Sequence, residues 1–567
     1  MLTGCVPWPE DYARRYRAAG YWEDISIPGM LDAAIARWGA REALVYGAQR
    51  VTYRQMGERI ERLALRFAAA GLAPLDRVVL QLHNVPEFVY AYFALLRVGA
   101  IPVMALRAHR HSEIRHFLGS SGAVGYVIPD VLRDFDYRGM AEEMRATQPA
   151  LRHVFVAGEP LAGQISLSAP LEAPAPRRSA GMPRAFRPDP NEVALMLLSG
   201  GTTSLSKLIP RTHNDYVLNC RLCARAAGFG EDTVLMLILP LGHNYNLASP
   251  GLMGAFANGG KVVLAPSGDP EKVFPLVERE RVTVIAAAVP LIANWLGSPV
   301  PDRHDLSSLR VIQNGGARLA PELRARLRQR LHCTPQEIYG TAEGLINMVP
   351  LDADDEAILH SSGTPVCSDD EIRVVDDGGN EVPDGSPGEL IVRGPYTIRG
   401  YYNAPGKNRE AFSAEGFYRM GDIVRKRGRT VYTEGRRKDI INRGGEKISC
   451  DEVENYILAH PKVKAATLVA MPDDIFGEKA CAFVVTRPGE SLGLAELVAF
   501  LRARQIASFK LPERLEVVPE LPLSPVGKIL KRELRERIAA RLAEERGPKS
   551  GTGEQAPGRA GPGSSTP

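Results

Sequence analysis

The chain has 567 residues, about three domains' worth at roughly 100–200 residues each, and its 45% apolar and 24% charged content is that of a globular protein with a sizeable core. Its 70 basic and 66 acidic residues leave a net charge of +4, which gives no footing for a nucleic-acid or anionic-membrane binder. No run approaches the roughly 18 apolar residues of a membrane span, and seven scattered cysteines form no disulfide framework, so a soluble, cytoplasmic protein is expected. Leu2-Thr3-Gly4-Cys5 looks like a lipoprotein cleavage box but lacks the basic start and the apolar stretch of a signal peptide. Cys220 and Cys223 lie on a helix with no second pair at zinc spacing, and read as small buried residues.

Met56, Ile60, Leu63 and Phe67 recur at helical spacing until Gly71 stops the helix. Val78–Leu82 follows as a strand, Asn84 as the cap of a helix that Gly99 ends, and Ile101–Met104 as another strand. This alternation implies a parallel sheet. It resumes with apolar strands at Val193–Leu198, Thr233–Leu239, Lys261–Leu264, Thr283–Ala288 and Leu309–Gln313, a pattern that suits sheets covered on both faces. The Pro-, Ser-, Ala- and Arg-rich Leu161–Pro190 reads as a surface connection between two lobes. From Asp370 the strands Glu371–Val375, Gly388–Val392 and Thr430–Thr433 suggest a small β-rich lobe. Beyond Arg436 comes a further α/β unit, closed by a helix carrying Leu534, Ile538 and Leu542. The expected fold is α/β: a core of residues 1–437 with two stacked, mostly parallel α/β subdomains plus the β-rich lobe, then a mobile α+β domain of residues 438–545. Residues 546–567, rich in Gly, Pro, Ser and Thr, read as a disordered tail.

Ser199-Gly200-Gly201-Thr202-Thr203-Ser204-Leu205-Ser206-Lys207 follows a strand. Glycines let backbone N–H groups turn toward phosphate oxygens, hydroxyls add donors and Lys207 adds a charge. The spacing is not that of a Walker A loop. Tyr339-Gly340-Thr341-Ala342-Glu343-Gly344 offers an aromatic face, a hydroxyl and a carboxylate suited to Mg2+ beside phosphates. Tyr418-Arg419-Met420-Gly421-Asp422 places a carboxylate after a tight turn, where it can accept ribose hydroxyls. Gly435-Arg436-Arg437-Lys438-Asp439 and Asn442-Arg443-Gly444-Gly445-Glu446-Lys447 follow, and Ser524-Pro525-Val526-Gly527-Lys528 presents a lysine on a turn. Each motif alone also fits a solvated loop.

Together, in this order, they resemble the adenylate-forming superfamily of acyl-CoA synthetases, nonribosomal-peptide adenylation domains and firefly-type luciferases, from about Leu31 to Leu542. The resemblance implies that Ser199, Gly200, Gly201, Thr202, Thr203 and Lys207 wrap the triphosphate of ATP. It further implies that Gly315, Gly316, Tyr339 and Gly340 border the adenine and aryl pocket, that Thr341 and Glu343 serve phosphate and Mg2+, and that Asp422 and Arg436 hold the ribose. Lys438 falls at the hinge of the small domain, and Lys528 matches the lysine that bridges substrate carboxylate and α-phosphate. The family loop usually has Gly where Ser204 stands, a departure bearing on loop mobility.

Within the superfamily the chain looks most like the stand-alone ligases that activate 2,3-dihydroxybenzoate or salicylate for siderophore assembly. Leu208-Ile209-Pro210-Arg211-Thr212-His213, His243-Asn244-Tyr245 with Ser249-Pro250-Gly251, and Asn442-Arg443-Gly444-Gly445-Glu446-Lys447 carry that likeness. Amino-acid-activating relatives place an Asp where His243-Asn244 begins here, and an amide pairs a phenol or carboxylate without demanding a cation. The resemblance thus implies a catalytic group of Lys528, Glu343 and His243 and an aryl-acid pocket of Asn244, Tyr245, Ser249, Gly316 and Ile346. Ser249 favours dihydroxybenzoate over salicylate, whereas Ile346 is ambiguous; hydroxyanthranilate and hydroxypicolinate stay open as substrates. The product is expected to pass through a tunnel lined by Gly444 and Gly445 to a phosphopantetheine thiol. That thiol belongs to an aryl carrier protein acting in trans, or to coenzyme A.

Overall fold

The structure is a computed structural model that describes residues 1–168, 171, 187–199, 206–436, 439–443, 446–473, 475–504, 506–524 and 527–546. Two large sheets dominate it. One has nine strands, its centre the parallel set Thr334–Thr341, Val311–Gly315, Val284–Ala287, Val234–Leu237, Lys261–Leu264 and Glu42–Tyr46, with antiparallel strands at both edges. The other has seven strands, in the order Leu208–Thr212, Val193–Leu198, Ile101–Met104, Arg77–Leu80, Gly125–Pro129, His153–Ala157 and Ile165–Ser166, parallel except for its first pair.

Side chains alternate across a strand, and burial follows that period. Val78 and Leu80 join one core with Leu235, Leu237, Val262 and Leu264 of the other sheet, while Val79 faces an outer core with Ile114 and Phe117. Met236, Val263 and Ile285 face a third core with Phe274 and Trp295. The helices Ile27–Trp38, Tyr53–Ala69, Pro86–Arg97 and His213–Ala226 contribute to the shared inner core, between the two sheets. Pro86–Arg97 is apolar all round, and every residue from Phe88 to Leu96 is buried, as such a helix requires.

A four-stranded antiparallel sheet, Glu371–Val375, Gly388–Arg393, Tyr418–Arg427 and Thr430–Arg436, forms the β-rich lobe. Ile440–Arg443 already belongs to the next sheet, with Glu446–Ser449, Gly477–Thr486, Val463–Asp473 and Arg514–Val517. That sheet buries Leu468, Ala482 and Val484 against Val453 and Leu497 on one face, and Val469, Cys481 and Phe483 against Leu534 and Ile538 on the other. The closing helix is Lys531–Arg546, and the tail from residue 547 lies outside the described residues.

Three sequence expectations are corrected. Asn84 does not cap the next helix, whose N-cap is Val85. Its amide instead donates to Ile238 O (3.2 Å) and Leu239 O (2.9 Å) and accepts Leu241 N–H (3.0 Å), tying the two α/β halves together. Leu161–Pro190 does not join two lobes: Ile165–Ser166 and Val193–Leu198 are strands of the same seven-stranded sheet, on opposite sides of its centre. Gly421 is not in a turn but inside the strand Tyr418–Arg427. Its φ of 72° accompanies a register shift, so this bulge, rather than a chain reversal, aims Asp422.

Candidate active site

The phosphate loop grows from the hairpin Val193–Leu198/Leu208–Thr212. Its neck is closed twice, by Ser199 N–H to Lys207 O (3.0 Å) and Lys207 N–H to Ser199 Oγ (2.9 Å). Gly200, Gly201, Thr202, Thr203 and Ser204 lie outside the described residues. Lys207 is half-buried with Nζ 4.1 Å from the centre of the Tyr401 ring, and loss of hydration lowers its pKa while Glu343 opposes that shift. The Tyr401 hydroxyl donates to Glu343 Oε1 (2.8 Å). Glu343 itself is 6% exposed, between Lys207 and the tyrosines. Among the described residues no cluster of three or more His, Cys, Asp or Glu could hold a metal. A single carboxylate beside Lys207 would nevertheless suit Mg2+, an ion that keeps several waters and binds through one or two carboxylates plus substrate phosphates.

Thr334–Thr341 and Gly344–Met348 form the hairpin that carries Glu343. Thr341 Oγ1 donates to Gly344 O (2.9 Å), so this hydroxyl locks the turn it was expected to offer to phosphate. A Cβ on Gly340 would lie 2.1 Å from Leu345 O, so only glycine fits there. Arg211, fully buried, braces the turn from behind: Nη1 donates to Ala342 O (2.9 Å), Nη2 to Tyr396 O (3.1 Å) and Nε to Asp215 Oδ1 (2.7 Å). Asp215 also accepts Thr212 N–H (2.7 Å), inside the capping box that starts helix His213–Ala226. The Arg211-Thr212 pair is therefore a structural strut.

Asp422 and Arg436 face each other on adjacent strands. Asp422 Oδ1 lies 3.3 Å from Arg436 Nε, and Oδ2 accepts the Tyr339 hydroxyl at 2.8 Å. Burial raises the Asp422 pKa, with Arg436 and Tyr339 working against that shift. The three residues expected around the nucleoside are thus one hydrogen-bonded unit.

The pocket wall is built on helix His213–Ala226 and the short helix Asn244–Ala248. His243 caps the latter, its Nδ1 accepting Tyr245 N–H (3.3 Å), so the ring proton sits on Nε2. Burial, aided by the Lys528 charge, pushes His243 down to about 3, leaving a neutral donor. Asn244 Oδ1 accepts the Tyr216 hydroxyl (2.8 Å), and Asn244 Nδ2 donates to Ser249 Oγ (3.2 Å). Gly315 is tight against the Tyr245 ring, where an added Cβ would stand 3.3 Å away. Ile346 is buried in the same core as Tyr245, with its N–H on the Tyr396 hydroxyl (3.2 Å).

Lys528 enters from the C-terminal domain. The hairpin Leu523/Ile529 holds it, with Lys528 N–H on Ser524 Oγ (3.0 Å). A Cβ added to Gly316, at φ 87°, would come within 3.3 Å of Lys528 Cε. Its charge also acts on His243 and Asp422. Lys438, Gly444 and Gly445 lie outside the described residues. Sequence reasoning missed Tyr216, Tyr396 and Tyr401 and named Tyr418 only as the start of the Asp422 motif; Tyr216 carried a signal, since Tyr216, Asn219 and Cys223 repeat at helical spacing.

Lys207 at the neck of its hairpin, the Asp422–Arg436–Tyr339 unit and Lys528 from the C-terminal region are the residues expected of an enzyme that activates its substrate with a nucleotide. The chain belongs to the AMP-binding enzyme family, whose model matches residues 31–402, with the AMP-binding enzyme C-terminal domain at residues 452–528. It is 43% identical over 546 residues to the 2,3-dihydroxybenzoate-AMP ligase of Bacillus subtilis (strain 168), covering 96% of this chain and 99% of that protein. It is likewise 43% identical over 538 residues to the salicyl-AMP ligase / salicyl-S-ArCP synthetase of Mycobacterium tuberculosis, covering 94% of each. The apo structure of Mycobacterium smegmatis MbtA matches with a TM-score of 0.72 and 40% identity, over 94% of this chain and 99% of that one. Membership of the family implies ATP as a substrate. No helix among the described residues is long and apolar enough to cross a membrane.

Proposed function

We propose that the protein adenylates an ortho-hydroxylated aryl acid, 2,3-dihydroxybenzoate first and salicylate next, and passes the acyl group to the phosphopantetheine thiol of an aryl carrier protein. The observation that carries this reading is the chemistry of the pocket wall: Asn244 and Ser249 are buried neutral groups, His243 beside them is neutral, and the charge acting on His243 is the cation Lys528. Such a site suits a carboxylate with neutral ring hydroxyls, and would leave a substrate ammonium unpaired. The named activities of the two relatives support the same choice and, for the mycobacterial one, a carrier as acceptor.

In the reaction a carboxylate oxygen attacks the α-phosphorus of ATP, and the bond to pyrophosphate breaks. Lys528 is placed to neutralise charge shared by carboxylate and α-phosphate, and His243 Nε2–H to donate a hydrogen bond. Asp422, fixed by Tyr339 and Arg436, orients the nucleoside, and Lys207 with the loop amides holds the β- and γ-phosphates. Glu343 would hold the Mg2+ that accompanies the phosphates, an ion that would supply further charge neutralisation. In the second half-reaction the thiol attacks the acyl carbonyl and AMP leaves, after the small domain turns about Lys438 and brings Gly444 and Gly445 to the thiol's path.

ATP–pyrophosphate exchange across benzoate, salicylate, 2,3-dihydroxybenzoate, heteroaryl acids and amino acids tests the substrate. Hydroxylated benzoates should lead, and exchange driven best by an amino acid overturns the reading. Thioester formation with a carrier protein against free coenzyme A tests the acceptor.

A further inference from the structure

Tyr216 lies one shell behind the pocket, on helix His213–Ala226, and is fully buried. Its hydroxyl donates to Asn244 Oδ1 at 2.8 Å. A buried phenol must place its hydrogen on an acceptor, and this bond decides which end of the Asn244 amide faces which way. With Oδ1 turned to Tyr216, Nδ2 is turned to Ser249 Oγ (3.2 Å). Ser249 Oγ cannot readily favour the opposite orientation. It receives a second N–H at 3.4 Å from Asn219, whose amide is itself oriented by donation to Ala248 O at 2.6 Å, and it interacts with Cys223. The chain Tyr216–Asn244–Ser249 therefore has one polarity, and Asn244 meets a ligand as a donor.

We infer that Tyr216 is a specificity-positioning residue: by fixing the Asn244 amide it makes the pocket select aryl acids that carry a hydrogen-bond acceptor beside the carboxylate. The inference rests on the aryl-acid reading above. An ortho-hydroxyl gives its own hydrogen to the neighbouring carboxylate, so its oxygen turns outward as an acceptor and matches the Asn244 N–H. An ortho-amine delocalises its lone pair into the ring and accepts poorly. Salicylate and 2,3-dihydroxybenzoate are thus favoured, and anthranilate is disfavoured, by the same bond.

The test is pyrophosphate exchange by the full-length enzyme with benzoate, salicylate, 2,3-dihydroxybenzoate and anthranilate, for wild type and Tyr216→Phe. In Tyr216→Phe the Asn244 amide loses the partner of its Oδ1 and is held by the longer Ser249 bond alone, so its orientation is less firmly fixed. The salicylate and dihydroxybenzoate KM should rise about tenfold, the size of one hydrogen bond to a buried group, while the KM for ATP and for benzoate stays within about twofold. The salicylate-to-anthranilate preference should fall by about the same factor. In an Asn244→Leu background the Tyr216→Phe change should leave these ratios as they are. Equal losses for every acid, an unchanged salicylate-to-anthranilate ratio, or the same fall in the Asn244→Leu background would each overturn the inference. A wild-type enzyme that does not prefer hydroxybenzoates to benzoate would instead bring down the substrate reading itself.

Discussion

Arg211 offers a direct measure of what holds the Glu343 turn in place. Its guanidinium is fully buried, paired at 2.7 Å with Asp215, which is 1% exposed, and it donates to two carbonyls, Ala342 O and Tyr396 O. Arg211→Met keeps most of the volume but strands a buried carboxylate. Breaking a buried pair costs about 3–5 kcal/mol, a large part of the roughly 5–15 kcal/mol that a fold has to spare. The two bare carbonyls add to that loss, though not additively. The double variant Arg211→Met/Asp215→Asn removes the stranded charge, so it should recover about 2 kcal/mol or more. Acidity should mimic this rescue. Burial already raises the Asp215 pKa, and without Arg211 it rises further. The penalty of the ionised form is then in force above that raised value and fades as pH falls through it toward the unfolded one. Urea unfolding of the three proteins at pH 8 and pH 6, with pyrophosphate exchange alongside, reads all of this. A single variant that loses less than about 1 kcal/mol, or a double variant no better than the single, would refute the strut.

Lys528→Ala should cut aryl-acid-dependent pyrophosphate exchange at least about 100-fold yet leave thioester formation from preformed aryl adenylate largely intact; equal loss of both steps would remove Lys528 from the adenylation chemistry. Asp422→Asn should raise the KM for ATP about tenfold or more, because a charged acceptor becomes neutral, with little change in the aryl-acid KM, and steady-state kinetics with each substrate varied separates the two. Asp370, 2% exposed with its Oδ2 on the Tyr396 hydroxyl (2.6 Å), is pushed up to about 7 by burial. Its ionisation therefore costs ~4 kcal/mol above pH 7, relieved as pH falls toward about 4. Asp370→Asn should flatten the pH dependence of Tm between pH 8 and 5, and an unchanged slope would show that the carboxyl titrates normally.

The sheets were legible because buried parallel strands are short apolar runs, and Ile101–Met104, Val193–Leu198 and Lys261–Leu264 stand at the expected bounds. What failed was connectivity. Asn84 has the chemistry of a cap, and only the tertiary fold brings Ile238 and Leu239 within its reach. Strands on opposite sides of one sheet look the same in sequence as strands of two lobes, so the segment after Ile165–Ser166 was misplaced. A local motif was enough to single out Asp422 and Lys528, which the structure brings within reach of each other's charge, whereas residues 200–205 of the Ser199–Lys207 motif lie outside the described residues. The site was opaque where function lies in a second layer: Tyr401 and Tyr418 reach Glu343 from a separate segment, and no spacing rule connects them.

Gly316 acts through the side chain it lacks. At φ 87° and with no side chain it leaves an open notch, and the Lys528 stem lies across it. The notch belongs to the N-terminal domain, but its tenant belongs to the C-terminal one. In the proposed second half-reaction, in which the small domain turns, the lysine would vacate and the notch would stay as an imprint of the first. One missing methyl group thus serves as a docking mark, read by the partner domain on every return, and a side chain there would be felt during adenylation and scarcely at all during transfer to the thiol.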